Sequence, residues 1–423
     1  MASLSPESHI LKEENPDSVT EADLVIGFLA KDNASTINSL VVKGSEGQET
    51  DYPGLKTVFI LSDCHSADKT VETYFRTKSP LPKMAVVCPP EFDAEIYGFF
   101  NLLLTAQRLG AKTVIIESAD TMTVKRTWIK RLIQPIIDGI ADFTTPLYSR
   151  NAIDAPVTNL MVYPMIRLLF GRRLRQPILT DWAFNDRGLK TLLGYKKWPD
   201  FPGLLALELT VKVLAVTGGH RICQSIMTEG RYGMSNKEMD TPHIMLMFRQ
   251  LASGLFDVML KFKDNWLSVS RSRPTSVTGT DLKPDLFPSR YQVSLEELYG
   301  KIHLLLAEYE SEWTGLLRPL PGDFYNYLKT APLDTLEVSS QKWGLFLFHC
   351  AYIYEQLSEK DQQTFIEAIT PAFLARFLTF QKETIGLPSG QIEAKVEDGA
   401  EQMEKMKKQY LSQGLSLSPP ANL

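Results

Sequence analysis

Short apolar runs separated by polar, turn-forming segments recur through the first third of the chain. Residues 23–30 (DLVIGFLA) end at polar Lys31-Asp32-Asn33-Ala34, and 57–63 (TVFILSD) end at Cys64-His65-Ser66-Ala67-Asp68-Lys69-Thr70. A third run, 84–88 (MAVVC), is stopped by Pro89-Pro90, and a fourth, 113–116 (TVII), leads into Glu117-Ser118-Ala119-Asp120. Between them lie helix signals: one opening over 35–42, one from Thr70 through Phe75, and one over 93–109. The last places Ile96, Phe100, Leu103, Leu104 and Ala106 on one face, and Gly110 follows as a cap. Continuous apolar strands alternating with helices predict a mainly parallel sheet covered on both faces, an α/β fold. Ligands in such sheets bind beyond the carboxyl ends of the strands. Those ends carry Asp32, Asp63, Asp68, Glu117 and Asp120. Aspartate is also an ordinary turn and cap residue; what points to a site is its recurrence at successive strand ends.

The pattern changes after about residue 240. Residues 243–262 place Met245, Phe248, Leu251, Leu255, Phe256 and Met259 at helical spacing, and a loop with Pro274, Pro284 and Pro288 follows. Helices are then predicted over 294–315, 340–357, 359–382 and 391–411. Phe365, Ile369, Phe373, Phe377 and Phe380 form a single stripe, which reads as core. The division expected is a flexible leader over 1–21, a sheet domain over 22–270, a helical region over 271–411 and a disordered tail over 412–423. The amphipathic 391–411 offers a face either for a homodimer or for docking on its own domain.

Composition narrows the class. The 423 residues are 44 % hydrophobic and 22 % charged, ordinary values for a globular protein. The 45 Lys+Arg against 50 Asp+Glu give a net charge of -5, which argues against a nucleic-acid binder working through overall charge. The four cysteines, Cys64, Cys88, Cys223 and Cys350, form no CxxC pair and signal neither zinc nor a disulfide framework. The polar N-terminus lacks an apolar signal-peptide core. No stretch reaches the roughly eighteen apolar residues of a membrane span. A cytoplasmic protein is the expectation.

The motifs carry more. Asp63-x-x-Ser66-x-Asp68-x-Thr70 and Phe170-Gly171-Arg172-Arg173-Leu174-Arg175-Gln176-Pro177-Ile178, followed by Asp181, are the most specific. Residues 22–34, 106–111, 128–136, 142–150, 158–164, 221–224, 247–250, 371–380 and 401–411 add weaker matches in the same order. Together these resemble nucleotide-sugar glycosyltransferases of the GT-A fold, akin to the bacterial glucosyl-3-phosphoglycerate and mannosylglycerate synthases. The resemblance spans about residues 22 to 411. It implies a Rossmann-like GT-A domain followed by a helical C-terminal region. It also implies retaining transfer of glucose or mannose from a nucleoside-diphosphate sugar to a small anionic acceptor of the glycerate or phosphoglycerate type. Asp63, with Ser66 and Asp68, would bind the nucleotide, Asp63 accepting the ring N–H of the base with nothing competing for it. Asp120 would face the ribose or a metal. Arg172, Arg173 and Arg175 would hold the acceptor's anion, and Asp181 and Glu208 would serve the transfer as catalytic residues.

The departures cluster where the donor's diphosphate would lie. The D-x-D motif reads Ser118-Ala119-Asp120, and the family's phosphate-binding Gly-Lys-Gly aligns with Gly98-Phe99-Phe100. The family's Gly-Gly-Asp reads Leu179-Thr180-Asp181, and its metal-binding His falls on or near Tyr232. The family's Mg²⁺ or Mn²⁺ would thus keep Asp120 as its one ligand. Two readings follow: a transferase working without the metal, with Arg231 or Lys237 as substitute cations, or a catalytically silent relative that binds a sugar nucleotide or scaffolds an active paralogue. A nucleotidyltransferase is disfavoured because 27–34 (GFLAKDNA) lacks a Gly-rich, basic phosphate loop.

Overall fold

In the computed structural model the four apolar runs are strands, within a sheet that has one more strand at its first edge and four beyond. The structure describes residues 10–90, 95–196, 198, 203–227, 240–280, 282, 293–317 and 323–412. The strands are β1 (Lys12–Glu14), β2 (Leu24–Ala30), β3 (Thr57–Asp63), β4 (Lys83–Val87), β5 (Thr113–Ser118), β6 (Phe143–Tyr148), β7 (Arg172–Arg173), β8 (Trp182–Asn185), β9 (Ile222–Met227), β10 (Arg273–Pro274) and β11 (Ser276–Thr278). Nine of them form one sheet in the order β1-β4-β3-β2-β5-β8-β6-β9-β11. Pairing is parallel except at β8, antiparallel to both β5 and β6, and at the edge strand β1, antiparallel to β4. Every residue of β2 and β3 is buried, which is why both read as unbroken apolar runs.

Alternation along the strands assigns the two faces. Ile26, Phe28, Phe59 and Leu61 join Ile37, Leu40, Val41, Ile129, Leu132 and Ile133 of the helices Ile37–Asp51 and Trp128–Ile137 in one core. Ser62 points the other way, and its hydroxyl donates to the Gly98 carbonyl of helix Glu95–Arg108 at 2.7 Å. The helix predicted over 35–42 runs on to Asp51. Its continuation, VKGSEGQETD, is glycine-rich and polar, so periodicity alone ends it early. Gly47 is needed there because a Cβ would sit 2.2 Å from the Arg126 carbonyl oxygen.

The chain separates into two compact units, and the division differs from the expected one. The first unit comprises residues to Arg150, Gln176–Lys237 and Thr275–Lys283; the second comprises Asn151–Arg175, Glu238–Pro274 and Pro284–Leu423. Residues 151–175 and 238–270, expected in the sheet domain, thus belong with the helices, while β11 of the expected helical region joins the sheet. Residues 12–14 of the expected leader are β1. The tail beyond 412 lies outside the described residues.

The second unit is helical, as expected. Its main helices are Thr241–Lys261, Leu295–Glu308, Ser340–Gln356, Glu359–Ala368, Thr370–Thr384 and Ser389–Ser412. Asp240, Ser294, Ser339 and Ser358 cap four of them through side-chain acceptors. The helix predicted over 359–382 breaks at Ile369, where Pro371 opens the next one. The aromatic stripe is core: Phe365, Ile369, Phe373, Phe377 and Phe380 are fully buried, and Phe373 stacks on Phe248 with centroids 4.4 Å apart. Helix Ser389–Ser412 packs on helix Tyr163–Phe170, where Arg167 bonds Glu397 and Glu404. Lys407 donates to the carbonyls of Leu168, Trp266 and Val269, tying the ends of two helices and the segment after them to helix Ser389–Ser412. Among the described residues no helix is long and apolar enough to cross a membrane.

Candidate functional site

In the first unit the chain passes from β2 to β3 and β4 on one side, then returns to place β5 on the other side of β2. That reversal opens a crevice beyond the carboxyl ends of β2 and β5. The three strand ends nearest it carry Asp32, Asp63 and Asp120.

The loops after β2 and β3 are stitched together by the acids that the sequence pointed to. Asp32 adopts a left-handed backbone (φ 57°), as does His65 (φ 58°). The Asp32 carboxylate accepts from the Ala67 amide at 2.7 Å, and the Asp32 amide donates to the Ser66 hydroxyl at 2.8 Å. The Asn33 amide donates to the Thr70 hydroxyl at 2.7 Å, and the Ala34 amide to Asp68 at 3.0 Å. Asp68 also accepts from the Thr70 amide and hydroxyl. Burial works against its charged form, but these hydrogen bonds outweigh it and hold the Asp68 carboxyl below its usual range. Two non-glycine residues with positive φ cost free energy, and the hydrogen-bonded loop pair is what holds them.

Asp63 sits at the centre, almost wholly buried. The expectation that nothing competes for its carboxylate is corrected: Ser66 donates its amide to one oxygen at 2.9 Å and its hydroxyl to the other at 2.5 Å. A carboxylate has about four acceptor positions, so two remain for a ligand N–H. Burial raises the Asp63 pKa, with the Ser66 hydrogen bonds pulling against it.

Across the crevice, Ser118 ends β5 and half-buried Asp120 follows it, its amide donating to the Ser118 hydroxyl at 3.4 Å. Glu117 is buried and accepts from the Thr121 hydroxyl at 2.6 Å. Because β8 runs antiparallel to β5 with Trp182 opposite Ile116, Asp181 comes level with the end of β5. Tyr148, the last residue of β6, donates its hydroxyl to Asp181 at 2.5 Å. The Gln176 carboxamide holds the Tyr148 backbone at both N–H and C=O.

Behind Asp181 lies a group that sequence reasoning half found. Glu208 is buried and accepts from the Thr180 hydroxyl. One turn along the same helix, Leu204–Thr217, buried Lys212 places its ammonium 4.4 Å from the Trp182 ring centroid and donates to the Leu179 carbonyl. Burial pushes Lys212 down to about 8, while the nearby charges of Glu208 and Asp181 favour its protonated form. Glu208 and Asp181 thus share an internal counter-cation. Tyr148 and Lys212 were not anticipated. The signal for Lys212 was present: LLALELTVKVLAVT is a mostly apolar helix whose two charged residues, Glu208 and Lys212, stand four residues apart.

Several expected site residues are placed differently. Gly98-Phe99-Phe100 is no phosphate loop: it lies within helix Glu95–Arg108, and Phe99 is fully buried with its ring 5.6 Å from that of Trp182. Arg172, Arg173 and Arg175 belong to the second unit. Arg175 forms a two-pronged pair with Glu393 and lies 5.3 Å over the Tyr163 ring, so its fork is committed internally. Arg173 donates to the Ser272 hydroxyl at 3.2 Å. Arg231, Tyr232 and Lys237 lie outside the described residues. A divalent cation on a diphosphate calls for several hard oxygen ligands. The D-x-D position at the end of β5 offers, among the described residues, one carboxylate, Asp120, with serine in place of the first acid. Among the described residues no group of three or more His, Cys, Asp or Glu side chains is placed to hold a metal ion. The described residues do not fit the cation.

No protein-family model matches the sequence, and no curated protein matches it. Among solved structures, the chain is similar to glucosyl-3-phosphoglycerate synthase from Mycobacterium tuberculosis in complex with Mn²⁺, uridine diphosphate and phosphoglyceric acid. The identity there is 15 %, over 55 % of this chain and 78 % of that one, with a TM-score of 0.41. The same enzyme with Mn²⁺ and UDP-glucose matches at 16 % identity over 56 % and 78 %, TM-score 0.42. A mycobacterial protein matches at 17 % over 57 % and 76 %, TM-score 0.44. The chemistry of the site rests on its own residues.

Proposed function

We propose that the first unit binds a nucleoside-diphosphate sugar at the carboxyl ends of β2, β3 and β5, in the manner of a GT-A glycosyltransferase. The observation that carries this reading is the Asp63–Thr70 signature. Its side chains are spent on building one ordered loop pair at the mouth of the crevice, with acceptor capacity left on Asp63. In this reading Asp63 accepts the ring N–H of the base, Asp120 faces the ribose, and Asp181, aligned by Tyr148, faces the donor sugar. Lys212 and Glu208 support Asp181 from behind and touch no ligand.

The activity proposed is transfer of glucose or mannose to a small glycerate-type acid with retention of configuration. The bond from C1 to the diphosphate oxygen breaks, and a bond from C1 to the acceptor hydroxyl oxygen forms on the same face. The hydroxyl proton passes to the departing diphosphate, and no enzyme nucleophile is committed. No step is routed through a metal. Ser118, standing where the family has its first D-x-D acid, favours the second reading, a relative that binds the donor and does not turn it over. Drift after loss of catalysis would leave such a replacement at the diphosphate.

Calorimetric titration with UDP-glucose and GDP-mannose, each with Mn²⁺ or with chelator, tests both readings. One of the two donors is expected to bind with equal affinity under either condition. Product formation from glycerate or 3-phosphoglycerate then separates transferase from silent binder. No binding of either donor would sink the assignment of the crevice.

A further inference from the structure

The second unit has its own cavity, of about 750 Å³, which no part of the proposed transfer uses. Gly171 positions one wall without lining the cavity. It ends helix Tyr163–Phe170 in the left-handed region (φ 67°), and its carbonyl accepts the Arg273 amide at 3.0 Å. A Cβ at Gly171 would come within 2.9 Å of Val269 and 3.2 Å of the Arg271 carbonyl oxygen, so the segment 269–273 is held close alongside. β7 and β10 then pair in parallel, Arg172 beside Arg273 and Arg173 beside Pro274. Successive strand residues point to opposite sides; Arg173 lines the cavity and Arg172 does not.

Six cations line this space, Arg167, Arg173, Arg271, Arg273, Lys405 and Lys408, against two acids, Glu401 and Glu404. Both acids are engaged. Glu404 accepts from Arg167 at 2.7 Å and from the Ser272 amide and hydroxyl at 2.5 and 2.9 Å, and Glu401 pairs with Lys405 at 2.6 Å. Among the described residues Arg271, Arg273 and Lys408 make no ion pair. Like charges gathered without counter-charge repel one another, and a bound anion relieves that repulsion. Guanidinium groups also offer paired donors matched to phosphate oxygens. The volume falls within the usual range for small-ligand sites, well beyond what one phosphate fills.

We propose that this cavity is a second ligand site, for a small molecule carrying two or more phosphate groups, held by Arg271, Arg273 and Lys408 with Arg173 beside them. It stands on residues of the second unit alone, and failure of the sugar-nucleotide reading would not touch it.

Calorimetric titration of the full chain with inorganic pyrophosphate, in low-salt buffer, tests the site. Saturable one-to-one binding is expected, at least tenfold tighter than orthophosphate. The exposed pair Arg271→Gln/Arg273→Gln should weaken it tenfold or more, while Asp63→Asn leaves it unchanged. Should the double variant fail to fold, Lys408→Gln on the neighbouring helix is read by the same tenfold criterion. Absence of pyrophosphate binding overturns the proposal. So does unaltered binding in the arginine variant, or its loss in Asp63→Asn, since either places the anion elsewhere.

Discussion

Asp63 illustrates how an acid can hold its own loop and, in the proposed function, also meet a ligand. Its two oxygens hold Ser66, yet burial, the larger influence, still pushes its pKa up. Replacing it by Asn removes the charge and keeps the shape. One of the two Ser66 donors loses its acceptor oxygen, so Asp63→Asn is expected to preserve the far-UV circular dichroism at a cost of about 1–3 kcal/mol. UDP affinity should fall tenfold or more, about 1.4 kcal/mol. Equal UDP affinity in the variant would remove Asp63 from contact with the base. Lys212 poses the opposite case, a residue whose loss should be felt in the fold. Lys212→Met strands Glu208 and Asp181 without their buried counter-cation, which should cost about 3–5 kcal/mol in urea denaturation. Adding Glu208→Gln should return part of that loss. Additive losses in the double variant would show that the two groups do not interact.

At the scale of elements, the end of the sheet remote from the crevice is tied by one acid. Asp142, just before β6, is buried and accepts from the Arg221 amide at 3.0 Å and guanidinium at 2.8 Å, ahead of β9. It also accepts from Asn185 at the end of β8 at 3.1 Å and from Arg187 at 3.0 Å. Arg221 is the chief cause that holds the Asp142 carboxyl well below its ordinary value of 3.8, against the cost of burial. The folded state therefore keeps this carboxylate ionised where the unfolded chain has begun to take up protons. Its stabilising contribution is complete above about pH 4 and is lost as pH falls below it toward the folded-state value. Denaturation midpoints measured between pH 5 and 2.5 should fall steeply in the wild type. Asp142→Asn should start lower and flatten that slope; an identical slope would assign the acid sensitivity elsewhere. These joins also show what local pattern misses. β2, β3, β4 and β5 read as apolar runs because helices cover both their faces. β6 and β9 interpose Thr144, Thr145, Gln224 and Ser225, so their strand character rests on partners far along the chain. The crevice acids were legible because they follow the readable strands. Tyr148 was not, because it ends one of the hidden strands.

Across the whole molecule, the units are not consecutive pieces of chain, and a boundary drawn by composition near 270 could not reveal this. The chain contributes to the second unit through 151–175 and 238–274 before its long helical stretch begins. The reason lies in buried charge. Arg167 and Arg175 come from a segment that reads as part of the sheet domain, yet their carboxylate partners Glu393, Glu397 and Glu404 lie more than 200 residues later. Helix Ser389–Ser412 also brings Lys407 to the three carbonyls that it caps. Removing residues from 389 onward would take away the carboxylates that pair with buried Arg167 and Arg175 and the ammonium that Lys407 gives to three carbonyls. Each stranded charge is worth about 3–5 kcal/mol, against a total of about 5–15 kcal/mol for an ordinary domain. Truncation at 388 is therefore expected to unfold the second unit, seen as loss of helical circular dichroism beyond the deleted turns and as tryptic cleavage at Arg167 and Arg175. Glu404→Gln, a milder lesion, should keep the fold and lower the melting temperature by several degrees. Protection of both arginines in the truncated chain would show that this helix is an ornament on the second unit and not one of its supports.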